Sequence, residues 1–434
     1  MKKMDYQNVK GTQDYLPHAE GVRSNIRRTL EDIFIQYGCK PLETPILNYT
    51  ELMVSKYGGG AEILEEMYTL TDRGDRDLAL RYDLTIPFAK VVAMNPTMRM
   101  PFKRYEIGKV FRDGPIKTGR FREFTQCDVD IVGVKSQIAE AELMIMALDA
   151  FQKLDLKVII QYNNRKLLNG MLQVFETSAE KINKVVLILD KLEKVGLEAV
   201  SSELTEQGLP PSTVQLIKQF LTDKNNTSYS YFEPFSAQSE QVKQGLEELK
   251  ELETYLEFLG VNNQCIFNPF LARGLEIYTG TIYEIFLSDK TIKSSIGSGG
   301  RYDNAIGGLI GTNENFSTVG ISFGLDVIYT ALNTSKEKIL ENPTVDFYVI
   351  PLNTQKESLL VARYLRNKGY NVEYEIGNKK IGKALDKANK ENFRNVIIIG
   401  EDEVKKNQFK IKDMFSGEER IESFAFNKWT NGPG

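Results

Sequence analysis

Two strand-like segments, residues 101–112 and 120–132, flank the loop DGPIKTG and alternate in character along their length. This pattern constrains the fold most, because it predicts an antiparallel pair with a charged face that is expensive to bury against an apolar core. Either a ligand or solvent covers that face, or it is an exposed face of mutually paired charges. The residues predicted to share it are Arg104, Glu106 and Arg112 on the first strand, and Arg120, Arg122, Gln126, Asp128 and Asp130 on the second.

The length of the chain calls for more than one core. It has 434 residues, and single cores stop growing at roughly 250 to 300 residues. The hydrophobic share of 41% and charged share of 26% are ordinary for soluble proteins and speak against extensive disorder. Apolar runs stay short of the roughly 18 residues that a membrane span needs, and the N-terminal stretch lacks the apolar segment of a secretory signal. We therefore expect a cytoplasmic protein of at least two domains, without a membrane partner.

The scarcity of histidine excludes several kinds of site. His18 is the one histidine in the chain, and its polar surroundings predict a surface residue. Three cysteines, Cys39, Cys127 and Cys265, are widely spaced and show no CxxC pairing, so we expect reduced packing residues. A metal held by histidine or cysteine side chains is therefore not expected. Any chemistry must rely on carboxylates, arginines, tyrosines, backbone dipoles or a metal bound to oxygen.

The order of patterns along the chain predicts its elements. A period of three to four predicts a helix over 19–37 that ends at Gly38, and a hairpin turn is predicted at Gly74. The pattern further predicts a helix capped by Ser136, helices over 165–260, strands over 264–286 and 294–302, and a helix from Gly324. After a charged linker come a strand, a helix over 355–368, a strand, a helix over 379–391 and a strand.

These elements predict an α+β domain, built on a mainly antiparallel sheet flanked by helices, over residues 1–165 and 261–331. A helical insertion over 166–260 interrupts it, and a linker over 332–344 leads to a small α/β domain over 345–434. From residue 343 onward, 16 lysines and arginines stand against 13 aspartates and glutamates. A mildly basic tail on an acidic chain favours contact with a polyanion, although a solvated face explains the same charges.

Several segments resemble the class II aminoacyl-tRNA synthetases, and histidyl-tRNA synthetases in particular. Segment 103–133 is similar to motif 2 of the class, and ETPIL (43–47) to motif 1 at its dimer interface. The two histidine-specific signatures resemble RGLEIYTGTIYE (273–284) and GGRYDN (299–304). KGTQDYLP (10–17) and LRYDLT (80–85) match the same family, in its order and over nearly the whole chain. The resemblance implies a homodimer, a class II catalytic domain and an anticodon-binding tail.

The resemblance also implies which arginines handle phosphate. Arg112 matches the motif 2 arginine on the ATP α-phosphate, and Arg120 matches an arginine near the phosphates. Arg273 matches the arginine that contacts both the α-phosphate and the amino-acid carboxylate. Activation brings two anions together, so always-charged guanidinium groups suit this task. Arg112 and Arg273 are thus the expected catalytic residues, with ATP as substrate and Mg²⁺ bridging its phosphates.

The histidine pocket is implied in the same way. One group matches residues that hold the α-amino group, and another lines the imidazole, where a carboxylate and a tyrosine hydroxyl can read its two nitrogens. The expected residues are Asp83, Thr85 and Gln126 for the amino group, and Asp130, Ile277, Tyr278 and Tyr302 for the ring. Ile277 stands where the family has a tyrosine, so it can contribute only apolar contact or backbone. Without the motif, Tyr278 and Tyr302 read as core or interface tyrosines.

The expected activity is the joining of histidine to the 3′ end of tRNA(His) through histidyl-adenylate. One departure from the family is Val327, where motif 3 usually places an arginine against the γ-phosphate. Lys117, in the loop 113–119, is a candidate contact for the tRNA acceptor end or a solvated loop residue. Two rival readings are a synthetase-like regulatory subunit of ATP phosphoribosyltransferase and a non-catalytic RNA-binding or sensor protein. The Gly-rich stretch 295–311 fits neither a Walker A nor a GxGxxG pattern.

Overall fold

The computed structural model describes residues 6–54, 65–117, 119–272, 277–312, 314–334, 345–377 and 380–426. The chain divides into two compact units, Met1–Glu337 and Lys338–Gly434. Each unit contains its own clusters of buried apolar side chains. Within the described ranges, no helix combines the length and the apolar character that crossing a bilayer demands.

The first unit is built around one large sheet. Its described strands are β1 (Lys40–Pro41), β2 (Leu47–Tyr49), β3 (Thr69–Thr71), β4 (Asp77–Leu80), β5 (Phe102–Phe111), β6 (Glu123–Val132), β7 (Val158–Asn164), β8 (Cys265–Phe267), β9 (Thr281–Leu287), β10 (Gly297–Arg301) and β11 (Thr318–Gly324). Eight of them form a sheet in the order β1-β5-β6-β11-β10-β9-β7-β8, and β2, β4 and β3 form a small one. In the large sheet the pairs β1–β5 and β7–β8 are parallel and the others antiparallel, which confirms the predicted mainly antiparallel sheet.

Helices surround this sheet. They are α1 (Pro17–Gln36), α2 (Thr50–Met53), α3 (Thr85–Met94), α4 (Ile138–Lys153), α5 (Arg165–Val174), α6 (Ala179–Leu189), α7 (Leu192–Val195), α8 (Leu197–Glu206), α9 (Pro211–Thr222), α10 (Glu240–Phe258), α11 (Ala305–Leu309) and α12 (Leu325–Thr334). Three 3₁₀ turns, Lys224–Thr227, Tyr229–Tyr231 and Glu233–Ala237, precede α10. Gly38 follows α1 with φ of 75°, the left-handed conformation that glycine adopts without a Cβ clash. The predicted helix over 19–37 and its end at Gly38 are confirmed.

The hairpin β5–β6 positions the charged residues. Its register pairs Arg104 with Asp130, Glu106 with Asp128 and Gly108 with Gln126. Alternate residues of a strand point to the same side, so these side chains share one face of the sheet. On the other face, Tyr105, Cys127, Val129 and Ile131 join the large apolar core that includes α1 and α4.

A second layer covers the charged face. The small sheet, α3 and α11 contribute a separate apolar cluster that includes Met53, Tyr82, Phe88, Tyr302 and Ile306. Arg104, Glu106, Asp128 and Asp130 are all at most 3% exposed beneath it. The reading of an exposed strand face is therefore wrong, because side chains from segments distant in sequence close over these charges.

One predicted strand is interrupted. Residues 264–286 were expected to run as strand, but β8 ends at Phe267 and β9 begins at Thr281. The Asn268 side chain accepts a hydrogen bond from the backbone N–H of Phe270 at 3.0 Å, and such a local bond competes with strand pairing. Pro269 also lacks an N–H for a ladder. The strand prediction therefore holds only at the two ends of this range among the described residues.

The second unit has a five-stranded sheet. Its strands are β12 (Phe347–Pro351), β13 (Val372–Tyr374), β14 (Asn395–Ile399), β15 (Gln408–Asp413) and β16 (Glu419–Ser423), in the order β13-β12-β14-β15-β16. The first three pair in parallel, and the last two add antiparallel partners. Its helices are α13 (Gln355–Asn367), α14 (Ile381–Lys390) and α15 (Glu401–Lys405). The partly parallel α/β pattern is confirmed, while β15 and β16 were not predicted because their charged residues weaken the apolar alternation.

Candidate functional site

A buried ion pair lies at the centre of the charged face. Arg104 Nη2 lies 2.6 Å from Asp130 Oδ2, and the hydroxyl of Tyr302 donates to Asp130 Oδ1. The guanidinium also lies 4.4 Å from the centre of the Phe88 ring. Burial raises the pKa of Asp130, and the charge of Arg104 opposes this rise. The structure thus joins two residues of the predicted imidazole pocket, Asp130 and Tyr302, and adds Arg104 as the cation that holds the carboxylate.

The close approach of these groups depends on a glycine. A Cβ at Gly320, on the neighbouring β11, would lie 2.0 Å from Asp130 Oδ1 and 3.3 Å from Tyr302 Cε1. Any larger residue would displace the carboxylate or the ring. Gly320 therefore lets the side chains of β6 and of the segment after β10 meet across β11.

Gln126 lies on the same face of β6 as Asp130, with Asp128 between them. Its Nε2 donates to the hydroxyl of Ser322 on β11 at 2.8 Å. Its Oε1 is buried and accepts no hydrogen bond from the described residues. Gln126 therefore keeps an unused acceptor, and its contact with an amino group stays a prediction.

Asp83 and Thr85 stand at the start of α3, with Thr85 as its first residue. Asp83 Oδ1 accepts the backbone N–H of Ile86 at 3.1 Å. Burial raises the pKa of Asp83 to about 6, although Arg112 and Arg104 act in the opposite direction. Arg112, which follows β5, donates from Nε to the carbonyl of Tyr82 at 3.0 Å. The structure thus brings Asp83 close to the motif 2 arginine.

The loop after β5 places the other predicted arginines differently. Strand β6 begins at Glu123, so Arg120 and Arg122 precede it, and the prediction that both share its charged face is wrong. Arg120 is exposed and its backbone N–H bonds to the carbonyl of Lys117 at 2.8 Å. Arg122 Nη1 pairs with Asp113 at 2.8 Å. The chain turns between Lys117 and Arg120, so Arg120 and Arg122 both lie before the first residue of β6.

The segment before β9 adds apolar side chains to the cluster above the charged face. Ile277 is 7% exposed and belongs to the same cluster as Tyr302 and Phe88, in keeping with a contribution by apolar contact. Tyr278 is half-buried and packs so close to Gly300 that a Cβ there would lie 2.9 Å from its ring. Arg273 lies outside the described residues, so its convergence with Arg112 stays a prediction.

A second buried ion pair was not anticipated. Arg81 Nη1 contacts Glu106 Oε1 at 2.8 Å and the carbonyl of Thr44 at 2.6 Å. A Cβ at Gly108 would lie 2.2 Å from the Arg81 guanidinium. The sequence signal for this contact was Gly108, which lies inside β5 opposite Gln126. Glycine inside a strand often marks a place where another group approaches the backbone closely.

The motif 3 position carries no cation. Val327 is half-buried, and a Cβ at Gly119 in the motif 2 loop would lie 3.5 Å from it. The carboxylate of the adjacent Asp326 accepts hydrogen bonds from the guanidinium of Arg23, from the hydroxyl of Tyr15 at 2.6 Å and from the backbone N–H of Thr125 at 2.8 Å. An apolar side chain packed against the large core therefore stands where the family's motif 3 usually has an arginine.

The cysteines behave as predicted packing residues: Cys39, Cys127 and Cys265 are buried and unpaired. His18 is exposed, as expected. In the described ranges, no three histidine, cysteine, aspartate or glutamate side chains come together in a way that could hold a metal ion.

Comparisons with known proteins agree with this geometry. The family model of histidyl-tRNA synthetase matches residues 11–328, and that of the anticodon binding domain matches residues 346–427. Histidine–tRNA ligase 2 of Shouchella clausii (strain KSM-K16) is 58% identical over 426 residues, covering 98% of this chain and 100% of the relative.

Solved structures show the same fold. The histidyl-tRNA synthetase from Nostoc sp. PCC 7120 superposes with a TM-score of 0.83 at 30% identity, covering 97% of both chains. An ATP phosphoribosyltransferase regulatory subunit/histidyl-tRNA synthetase from Bacillus halodurans C reaches 0.75 at 20% identity, covering 92% of this chain and 99% of that one. The second likeness concerns the fold alone, whereas the first agrees with the family models. This chain belongs to the histidyl-tRNA synthetase family.

Proposed function

We propose that this chain is a histidine–tRNA ligase that couples histidine to ATP and transfers the histidyl group to the 3′ end of tRNA(His). The observation that carries the proposal is the buried carboxylate of Asp130, held by Arg104 and Tyr302 on the strand face that also carries Gln126. A fixed carboxylate beside further polar acceptors suits a ligand with several donors, as histidine has. The family membership and the high identity to a named ligase support the same conclusion.

In this proposal the pocket reads both ends of histidine. Asp130 and Tyr302 face one part of the imidazole, Tyr278 faces its other nitrogen, and Ile277 packs against the ring. Asp83, Thr85 and Gln126 hold the α-amino group. Sites that hydrogen-bond their substrate reject analogues without those groups by as much as ~10⁴ to 10⁵.

Arginine side chains bind the ATP phosphates in this proposal. Arg112 would bind the α-phosphate, and Arg273 would contact both that phosphate and the histidine carboxylate, so the two anions approach each other. Arg120, whose side chain is exposed, can swing towards the remaining phosphates. We expect Mg²⁺ to be held by the ATP phosphates and water, since it prefers oxygen ligands and usually keeps several waters.

The rest of the chain supports tRNA charging. We propose that 1–165 and 261–331 form the catalytic domain, 166–260 a helical insertion and 332–344 a linker. Residues 345–434 would bind the anticodon of tRNA(His), in line with the matched anticodon-binding model. Lys117 is a proposed contact for the acceptor end. We further propose a homodimer and a cytoplasmic location.

The test is histidine-dependent exchange of pyrophosphate into ATP. The wild-type protein should catalyse it, and Arg273→Ala should lower the rate on the order of 10²- to 10³-fold, as loss of a group that stabilises developing charge does. Arg28→Ala, on the exposed side of α1, should exchange at the wild-type rate. Near-normal exchange by a folded Arg273→Ala protein would refute the role of Arg273.

The same assay separates the rival readings. Val327 favours a regulatory subunit that keeps the fold but does not charge tRNA, because the family's motif 3 arginine is replaced there. Such a subunit, or an RNA-binding sensor, would show no histidine-dependent exchange. Exchange by the wild-type protein would remove both alternatives.

A further inference from the structure

We propose that Asp128 is a further substrate-binding residue, whose carboxylate receives the α-ammonium group of histidine together with Asp83 and Gln126. The inference rests on the proposed function and extends its amino-acid pocket by one residue. Asp128 lies in the middle of β6, between Gln126 and Asp130 on the same face.

The side chain of Asp128 is buried but incompletely satisfied. The residue is 3% exposed, and its Oδ1 has no hydrogen-bond partner among the described residues. Its strand neighbours are Glu106 on β5 and Ser322 on β11. Buried polar atoms in native proteins normally have a hydrogen-bond partner. A buried carboxylate oxygen without one is therefore a candidate to accept a hydrogen bond from a ligand.

Hydrogen bonding fixes what the neighbouring groups can offer. Gln126 uses its Nε2 to donate to Ser322, which leaves its unpartnered Oε1 as an acceptor. The Ser322 hydroxyl accepts that bond, and Ser322 lies opposite Asp128 in the register of β11 and β6. Asp83 contributes another carboxylate from the layer above. Gln126 Oε1 and Asp128 Oδ1 therefore each lack a donor, and a primary ammonium group has three.

The balance of buried charge points to a cation. Arg81 pairs with Glu106, and Arg104 pairs with Asp130. The charges that act on Asp128 are Arg104, which stabilises its ionised form, and Asp130 and Asp83, which oppose it. Since Arg104 is already bound to Asp130, the ionised Asp128 has no cation of its own among the residues that the structure describes. A buried charge without a partner is costly, and the ammonium group would supply one.

The competing explanation is a structural role, in which Asp128 only braces Ser322 and the strand. To separate the two, we would compare wild type, Asp128→Asn and the control Asp149→Asn in the exchange assay. Asp149 is a part-buried carboxylate on α4 that accepts from Tyr37 at 2.5 Å, outside the proposed pocket. Asp128→Asn keeps the size and one acceptor but removes the charge.

We expect Asp128→Asn to raise the KM for histidine on the order of tenfold to 100-fold, as loss of a charged hydrogen bond does. The KM for ATP should stay within about twofold, and Asp149→Asn should change neither. Equal increases in both KM values would indicate a structural role and overturn the proposal, as would an unchanged KM for histidine.

Analogues as inhibitors add a second readout. Histidinol keeps the amine and lacks the carboxylate, whereas imidazolepropionate keeps the carboxylate and lacks the amine. Asp128→Asn should raise the inhibition constant of histidinol by about the same factor as it raises the KM for histidine. It should leave the inhibition constant of imidazolepropionate unchanged. Equal weakening of both analogues would overturn the proposal. If the wild-type protein showed no histidine-dependent exchange, the proposed function itself would fail, which is a distinct result.

Discussion

Buried carboxylates set the character of the site at the scale of single residues. Burial is the main reason that the pKa of Asp128 rises to about 8 and that of Asp83 to about 6. An ordinary aspartate in an unfolded chain has a pKa near 3.9. In the ligand-free protein both groups therefore bind protons over a pH range in which the unfolded chain has released them.

This difference predicts how stability depends on pH. Because the folded pKa of Asp128 is raised, the folded state holds more protons than the unfolded state between pH 4 and 8, and its stability falls as pH rises through that window. Asp128→Asn removes this contribution. The variant should therefore gain stability relative to wild type with rising pH, by up to about 1.4 kcal/mol per pH unit.

Urea unfolding of the two proteins at pH 5, 6.5 and 8, without histidine, measures this difference. Lys103→Met serves as a control, because it removes a part-exposed ion pair with Glu142 and leaves the pocket unchanged. Parallel pH profiles for wild type and Asp128→Asn would contradict the raised pKa of Asp128.

At the scale of elements, the helices α5 and α10 approach each other closely. A Cβ at Gly245 on α10 would lie 2.6 Å from the backbone nitrogen of Leu167 on α5. A Cβ at Gly170 on α5 would lie 2.7 Å from the backbone nitrogen of Val242 on α10. Glycines on both helices thus permit contact between their backbones, and the helices cannot separate without losing this packing.

Gly245→Ala should therefore destabilise the protein by about 1 to 3 kcal/mol, as overpacking does, although alanine is the better helix former. Gly21→Ala is the matched control, since nothing lies within 4 Å of a Cβ at this position in α1. That change should stabilise the protein by about 0.5 to 1 kcal/mol. Chemical unfolding monitored by circular dichroism gives both values, and a shift of the same sign in both variants would refute the close-contact explanation.

At the scale of the whole molecule, the motif 1 segment leaves apolar side chains in solvent. Leu47 and Tyr49 on β2 are 46% and 58% exposed, and Ile46 beside them is 42% exposed. Grouped exposed apolar side chains often mark a protein interface. Ile46 and Leu47 lie in the segment that resembles motif 1, and Tyr49 follows it, which favours the proposed homodimer.

Leu47→Glu should therefore convert a dimer into a monomer of 49.3 kDa, because it buries a charge without a partner at the interface. Leu359→Glu changes a leucine that is 50% exposed on α13 and should leave the dimer intact. Sedimentation velocity reports the mass in each case. A wild-type protein that sediments as a monomer, or a Leu47→Glu protein that stays dimeric, would rule out this interface.

Much of this molecule follows from local pattern. Helix α1 ends just before Gly38, and both the apolar spacing and the left-handed glycine that stop it are local properties. The alternation along β5 and β6 placed Arg104, Glu106, Asp128 and Asp130 on one face because strand geometry has a period of two. The family motifs indicated Asp83, Gln126 and Tyr302 as candidates before any contact was known.

Tertiary structure alone decided which of these groups meet and which are left without a partner. Tyr302 reaches Asp130 across 172 positions of sequence, and the layer that buries the charged face comes from segments that no periodicity connects to β6. The orphaned oxygen of Asp128 is likewise a property of packing, because hydrogen-bond satisfaction depends on which side chains arrive from elsewhere. Local sequence sets the direction of a side chain, but long-range packing sets its surroundings and hence its charge.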